Sequence, residues 1–319
     1  MNQKPFEAVG GVYPTMITPY KTSGEIDWQA VEDLVEWYWR QGCDGIFAAC
    51  QSSEIMFLSL EERVRLTGTV VSKARELAKR DPSRKPMMVV ASGHISDSFP
   101  DQVRELNAIA AEKPDALILI SNRMDIGNTT DENWIADAEK LLAALPGSMP
   151  LGVYECPKPY KRLLSEKMIK WCAASGRFYF LKDTCCDAAV IRQRLKWCEG
   201  SNLRIFNANA QTLLASLKDG CAGYCGVMAN FHPALYSGLL KSGSLHTRRA
   251  SLLQDFLGLA ATIENMTYPC CAKYYLDRFE GIRMSTYARS ADEKQFTDYQ
   301  KSCVDQLAEL HIFLHSKVE

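Results

Sequence analysis

Lys182 is the residue in this sequence whose type and position best fit covalent chemistry. It lies near the end of an apolar run, RFYFLKDT over residues 177–184, where strand alternation predicts that Phe178, Phe180 and Lys182 share one side. Burial of an amine among apolar groups disfavours its charged form, and a neutral amine is a nucleophile toward a carbonyl carbon. Alternatively, the lysine extends from the strand end into solvent. Lys182 is therefore a candidate nucleophile.

A second candidate, Tyr154, ends the apolar run LGVY over residues 151–154. A phenol at the end of a strand can move a proton between substrate and solvent. The alternative is a buried tyrosine whose hydroxyl is hydrogen-bonded to the backbone. The position alone does not decide between the two.

Substrate-binding candidates follow another apolar run, in the segment CQSSE over residues 50–54. Amides and hydroxyls at Gln51, Ser52 and Ser53 could hold a carboxylate. The same segment could equally be a turn leading into a helix N-cap. Cys225, near the end of a later apolar run, is added as a fourth substrate-binding candidate.

The elements that must position these side chains alternate regularly along the chain. Short apolar runs predict eight strands, at residues 11–17, 45–49, 87–91, 116–120, 151–154, 178–181, 204–207 and 223–227. Segments of helical period predict helices at residues 28–40, 60–79, 98–112, 131–145, 165–174, 188–198, 211–218 and 233–240. Beyond residue 247 the pattern is purely helical, with helices predicted at 248–265, 270–279 and 292–316.

Eight β–α units without an extended linker predict a closed (β/α)8 barrel of the α/β class. The strands are too continuously apolar for burial on one side only, as expected when helices cover them. We expect a catalytic barrel domain at residues 1–246 and a C-terminal helical region at 247–319. In such a barrel the active site lies at the C-terminal ends of the strands, where the candidates above are found.

Composition excludes several classes of protein. The 319 residues are 47% hydrophobic and 24% charged, which is typical of a globular chain. The formal charge of -1 leaves no basic excess for nucleic acid or an anionic membrane. Twelve cysteines in a chain of this size, with no apolar leader in its first residues, predict reduced thiols and a cytoplasmic location. Scattered histidines and adjacent cysteine pairs do not match zinc-ligand spacing, so no metal site is expected.

Taken together, the motifs over about residues 10–290 resemble the dihydrodipicolinate synthase and N-acetylneuraminate lyase family of class I aldolases. GVYPTMITPY at residues 11–20 looks like the family's opening strand, and LSLEER at 58–63 like its L-[ST]-x-E-E-R. YECP at 154–157 is similar to Y-N-x-P, and LKDT at 181–184 to the segment that carries the Schiff-base lysine. GCAG at 220–223 and ANFHP at 229–233 look like G-x-x-G and A-N-x-x-P.

The resemblance implies a lyase that needs neither metal nor organic cofactor. Lys182 would form an iminium with the ketone of a 2-oxo acid such as pyruvate, and Tyr154 would move the proton at the bond being broken or made. Backbone amides at Ser52 and Ser53 would hold the substrate carboxylate. It also implies a homo-oligomer, either a tetramer or a dimer.

Three departures from the family pattern bear on the substrate. Gln51 replaces the hydroxyl residue that joins the catalytic tyrosine in a proton relay in the synthase branch, and an amide does not readily pass a proton. The segment after the fourth strand, with Ser121 and Arg123, lacks the tyrosine that reaches into a neighbouring subunit. Pro159 stands where the synthase branch carries an arginine for a dicarboxylic substrate. These departures disfavour a true dihydrodipicolinate synthase.

Other side chains leave the rest of the substrate open. Asn207 and Asn209 would suit a sugar acid with several hydroxyls, or would simply cap the next helix. Arg123, Lys158 and Lys161 would favour an anionic distal group, or are solvated surface cations.

Two other functions fit the same residues. One is a dehydratase of a 2-oxo-3-deoxy sugar acid that uses the same iminium. The other is a non-catalytic barrel that binds a 2-oxo acid, which the loss of the hydroxyl relay at Gln51 would favour.

Overall fold

Eight parallel strands form a closed (β/α)8 barrel, which confirms the predicted fold. The computed structural model describes residues 9–318. The stretch 1–8, on which the expected absence of a leader depends, and residue 319 lie outside the described residues. The sheet order is β1-β8-β7-β6-β5-β4-β3-β2, and a parallel bridge between Thr15 and Phe47 joins the first strand segment to β2. Every ladder of the sheet is parallel, so the C-terminal ends of the strands meet at one mouth.

The elements follow the predicted alternation closely. The strands are β1 Gly11–Val12, β2 Gly45–Ala48, β3 Met88–Ala91, β4 Ala116–Ile120, β5 Leu151–Tyr154, β6 Phe178–Asp183, β7 Arg204–Asn207 and β8 Gly223–Tyr224. The helices are α1 Trp28–Arg40, α2 Leu60–Arg80, α3 Phe99–Ala111, α4 Asp131–Ala144, α5 Glu166–Ala174, α6 Ala188–Trp197, α7 Leu213–Lys218, α8 Pro233–Lys241, α9 Arg248–Ala260, α10 Cys270–Phe279 and α11 Asp298–Val318.

The first and last strands are shorter than predicted. The apolar runs at 11–17 and 223–227 suggest longer strands, but ladder pairing between them covers only two residue pairs. Val227–Asn230 is instead a 3-10 helix. The apolar side chains beyond the strands are still buried, because surrounding elements cover them, and burial alone does not specify a strand.

The predicted alternation along β6 is wrong at Phe178. The β5–β6 register shifts between Leu151 and Gly152, so one residue is unpaired and the side-chain alternation is reset. Phe178 consequently packs outside the barrel against Trp171, with ring centroids 5.7 Å apart. Phe180 points inward and stacks on Phe206 at 4.1 Å. An aromatic layer thus fills the barrel interior below Lys182.

Two predicted C-terminal helices are interrupted. The segment 248–265 divides into α9 and a 3-10 helix, Ala261–Asn265. The segment 292–316 divides into a 3-10 helix, Glu293–Gln295, and α11. Among the residues that the structure describes, no helix is long and apolar enough to cross a membrane.

The barrel closes where Gly11 of β1 pairs with Gly223 of β8. A Cβ added at Gly223 would lie 1.9 Å from the carbonyl oxygen of Gly11, so the two strands could pair only by moving apart. We expect Gly223→Ala to lower the free energy of unfolding by about 1–3 kcal/mol, the usual cost of overpacking. Gly238→Ala in α8 is the matched control, because no atom lies within 4 Å of the added Cβ. Urea unfolding measures both, and equal effects would contradict the explanation.

Candidate active site

Lys182 and Tyr154 are register partners at the C-terminal ends of β6 and β5. The Nζ atom of Lys182 lies 4.1 Å from the ring centroid of Tyr154 and 5.6 Å from that of Phe47. Both residues are almost fully buried, with exposures of 4% and 3%. Within the described chain, Nζ has neither a hydrogen-bond partner nor an ion-pair partner. The amine therefore packs on two aromatic rings and is available to react with a ligand in the cavity.

The Tyr154 phenol faces Gln51. Its hydroxyl donates to the Gln51 side-chain oxygen across 3.4 Å, and the Cys156 thiol donates to the same oxygen, also at 3.4 Å. Burial raises the pKa of the Tyr154 phenol well above its usual value, with a smaller contribution from Cys156. The phenol is thus neutral in the free protein. The Gln51 amide oxygen accepts a hydrogen bond from the phenol, and an amide does not readily pass a proton onward.

The segment after β2 forms a 3-10 helix, Gln51–Ser53, and its two serines have different environments. Ser52 lines the cavity at the barrel mouth and donates to the Thr15 hydroxyl at 3.1 Å. Ser53 is fully buried, and its hydroxyl donates to the Met16 carbonyl at 2.6 Å. The Ser53 N–H donates to the Cys50 carbonyl at 3.0 Å, so the loop itself uses the amide that was expected to hold a carboxylate.

Cys225 lies in the barrel interior rather than on the wall of the cavity. It is fully buried and packs in the same cluster as Phe180. Burial raises the pKa of its thiol to about 12, although the charge of Lys182 acts in the opposite direction. Cys225 is therefore a packing residue of the barrel interior.

Glu54 fixes the loop that carries Gln51 and Ser52. It adopts a left-handed conformation with φ 63° and is buried. Its carboxylate pairs with buried Lys273 of α10 at 3.0 Å, and it accepts backbone N–H groups of Arg289 and Ser290 at 2.6 and 2.7 Å. The C-terminal region thus anchors one wall of the site, a contact that sequence spacing does not reveal.

A buried ion cluster holds the ends of β5 and β6 together. Arg194 of α6 pairs with Glu155 at 2.9 Å and with Asp183, and all three side chains are inaccessible or nearly so. Glu155 also accepts the backbone N–H of Thr184 at 2.9 Å. Burial, and then the charge of Asp183, raise the pKa of Glu155. Glu155 points away from the cavity and has a structural role in joining the two strand ends.

The mouth of the barrel opens into a cavity of about 1390 Å³. Lys182, Tyr154, Gln51 and Ser52 line it, and the structure therefore brings four of the six candidates together. Residues from the C-terminal region complete the walls, among them Glu264, Asn265, Tyr268 and Pro269. Motif spacing does not identify these residues, because they follow α9 and belong to no strand end.

The remaining polar candidates have structural roles. Asn207 donates to Thr212 and Ser216 at 3.0 and 2.9 Å, and Asn209 accepts the Thr212 N–H at 2.9 Å. Both amides therefore organise the start of α7, as the capping alternative predicts.

The candidate cations are distributed between the cavity and the surface. Arg123 lines the cavity but is paired with Asp97 at 2.7 Å. Lys158 lines the rim, and Lys161 is exposed outside the cavity walls.

These features define a (β/α)8 barrel with a buried lysine and tyrosine at its mouth. Residues 8–79 match the model of the Dihydrodipicolinate synthetase family. The 4-hydroxy-tetrahydrodipicolinate synthase of Acidithiobacillus ferrooxidans is 23% identical over 257 residues, 81% of this chain and 80% of the relative.

Solved structures of other proteins share the fold of this chain. The Ruminococcus gnavus sialic acid aldolase superposes with a TM-score of 0.83 at 16% identity, covering 99% of this chain and 100% of that chain. A catalytic-lysine mutant of that aldolase has also been solved, and it superposes with a TM-score of 0.82. YagE of E. coli K12, in complex with pyruvate, has a TM-score of 0.79 at 19% identity, with coverage of 93% and 98%. The chain is thus similar in sequence to dihydrodipicolinate synthases, and its fold matches that of the sialic acid aldolase. Of these proteins, the sequence relative is a synthase and the superposed R. gnavus structure is an aldolase.

Removing Arg194 should expose how much the cluster contributes to stability. Arg194→Met leaves Glu155 and Asp183 buried without a counter-ion, so we expect a loss of about 3–5 kcal/mol in unfolding free energy. Arg192→Met on the same helix is the control, because that arginine is exposed and its pair with Asp219 lies at the surface. Chemical denaturation compares the two, and a loss below 1 kcal/mol for Arg194→Met would contradict the assigned role.

Proposed function

We propose that this protein makes or breaks a carbon–carbon bond to pyruvate or a related 2-oxo acid through an iminium on Lys182. The observation that carries the proposal is the uncommitted, buried Nζ atom lying 4.1 Å from the ring of Tyr154 in a large cavity. An amine without an ion-pair partner, surrounded by aromatic rings, is suited to attack a ketone. The catalytic lysine of the related sialic acid aldolase and the pyruvate bound to YagE support the same chemistry.

The two residues divide the reaction between them. The neutral Lys182 amine adds to C2 of the 2-oxo acid, and the amine proton passes to the oxygen to give a carbinolamine. Tyr154 then protonates the hydroxyl group, which leaves as water, and the iminium and a phenolate remain. The phenolate takes the proton of the C4 hydroxyl while the C3–C4 bond breaks, and that electron pair moves into the iminium to give an enamine and an aldehyde. Tyr154 next protonates C3, and water releases pyruvate and restores the free amine and phenol.

The electrostatics of the pair fit this sequence. Burial keeps the phenol protonated before substrate binds, so Tyr154 begins as the proton donor that water loss requires. Once the iminium has formed, its positive charge lies against the phenol and stabilises the phenolate. Gln51 holds the hydroxyl in place by accepting its hydrogen bond.

The substrate carboxylate is assigned to the segment after β2. Ser52 lines the cavity there and lies beside the Tyr268 phenol. We further propose a homo-oligomer, a dimer or tetramer, acting in the cytoplasm on a small-molecule 2-oxo acid.

Borohydride reduction with pyruvate, followed by peptide mass mapping, tests the site. Lys182 should be the only lysine that becomes covalently modified, and Lys182→Ala should abolish both trapping and turnover. Lys182→Arg should not restore activity, since a guanidinium stays protonated and does not attack a ketone. Modification of Lys158 or Lys273 instead would contradict the assignment. Release of pyruvate and an aldehyde separates aldol cleavage from dehydration, which releases neither.

Tyr154→Phe tests the proton-transfer role while keeping the ring against Nζ. Turnover should fall about 10²- to 10⁴-fold, as for a lost general acid–base. Iminium trapping should survive at a lower rate, because the lysine remains. Tyr20→Phe is the control, since that buried hydroxyl lies outside the cavity walls and has no hydrogen-bond partner in the described chain. Turnover of Tyr154→Phe within about threefold of wild type would show that the phenol only packs.

A further inference from the structure

Glu264 differs from the other carboxylates near the cavity. Glu54 pairs with Lys273, Glu155 pairs with Arg194, and Asp97 pairs with Arg123. Glu264 lines the same cavity as Lys182, yet the contacts of the described residues give its carboxylate no hydrogen-bond or ion-pair partner. A half-buried polar group without a hydrogen-bond partner costs folding free energy. The half-buried Glu264 carboxylate has no such partner in the described chain, so its oxygens are available to bind a ligand.

Glu264, in the 3-10 helix after α9, and Lys182, near the end of β6, line the same cavity. The contacts of the described residues include no ion pair between the two groups. Burial raises the pKa of Glu264, and Lys182 opposes that shift. In either protonation state the oxygens of this carboxyl group can accept hydrogen bonds from hydroxyl groups. The part of the substrate beyond the iminium would extend past this group.

We propose that Glu264 is a specificity-determining residue that hydrogen-bonds hydroxyl groups on the distal, aldehyde-derived half of the substrate. The inference rests on the Schiff-base function proposed above and narrows its substrate class to polyhydroxylated 2-oxo acids. Asn207 and Asn209, which the sequence offers for hydroxyl recognition, are committed to α7, so Glu264 takes that role. A second carboxylate on the substrate would instead meet like charge at Glu264.

Three aldehydes condensed with pyruvate test the proposal. They are D-erythrose, which is polyhydroxylated, acetaldehyde, which has no hydroxyl group, and succinic semialdehyde, which ends in a carboxylate. Wild type should prefer D-erythrose. Glu264→Ala should lower kcat/KM for D-erythrose about 10-fold or more, as expected when a hydrogen bond to the substrate is lost. It should leave acetaldehyde within threefold and leave succinic semialdehyde unchanged or improved.

Two variants and a trapping assay keep the result interpretable. Glu264→Gln should retain part of the activity with D-erythrose, because an amide still donates and accepts hydrogen bonds. Asp255→Asn is the control, since this exposed carboxylate of α9 lies outside the cavity walls. Borohydride trapping of pyruvate should be unchanged in every variant, which also shows that the barrel has folded.

The outcomes separate this inference from the proposed function. If wild type traps no pyruvate, both are overturned. If trapping is intact but Glu264→Ala lowers activity equally with all three aldehydes, or with none, only the role of Glu264 is overturned. A wild-type preference for succinic semialdehyde would likewise overturn it.

Discussion

The buried ion cluster of Arg194, Glu155 and Asp183 is the constraint on which the site depends. Glu155 directly follows Tyr154, and Asp183 directly follows Lys182, so one arginine fixes the chain next to both residues. Because strand neighbours alternate in direction, the two carboxylates point outward toward α6 while the phenol and the amine point inward. The charged triad therefore adds to the β5–β6 ladder, which pairs Tyr154 with Lys182, a second link between the same two strand ends.

The fold could be predicted from the sequence because its signals are local. Each β–α unit carries an apolar run followed by a helical period, and both can be recognised without knowing their neighbours. Lys182, Tyr154, Gln51 and Ser52 were found for the same reason, since a barrel places the residues after its strands at one mouth. The error at Phe178 has a physical cause, because a register shift between β5 and β6 resets the alternation and nothing in the run FYFLK marks it.

The parts of the site that could not be predicted depend on contacts between distant segments. Glu54 reaches Lys273 and the backbone at Arg289, more than two hundred residues away in the chain. Glu264 lies in the 3-10 helix after α9 and Tyr268 in the turn that follows it, and both line the cavity. Neither residue follows a strand of the barrel. Ser53 had the right residue type and position, but its hydroxyl and N–H are used inside its own loop. Motif spacing identifies such residues without showing which of their atoms are already bonded.

Under the proposed function, the contrast between the two ends of the cavity would let one scaffold keep its chemistry and change its substrate. At the inner end, Lys182 and Tyr154 are held by an aromatic core and a buried ion cluster, and a change there would disturb the barrel itself. At the outer end, Glu264 belongs to a 3-10 helix outside the barrel strands, and its carboxylate supports no other contact in the described chain. Substitution of Glu264 removes no hydrogen bond or ion pair of the described chain, so we expect it to cost little folding free energy. The residues proposed for the chemistry lie beside the buried ion cluster at the strand ends, whereas the residue proposed for substrate recognition lies outside it. This difference in position separates the two proposed roles.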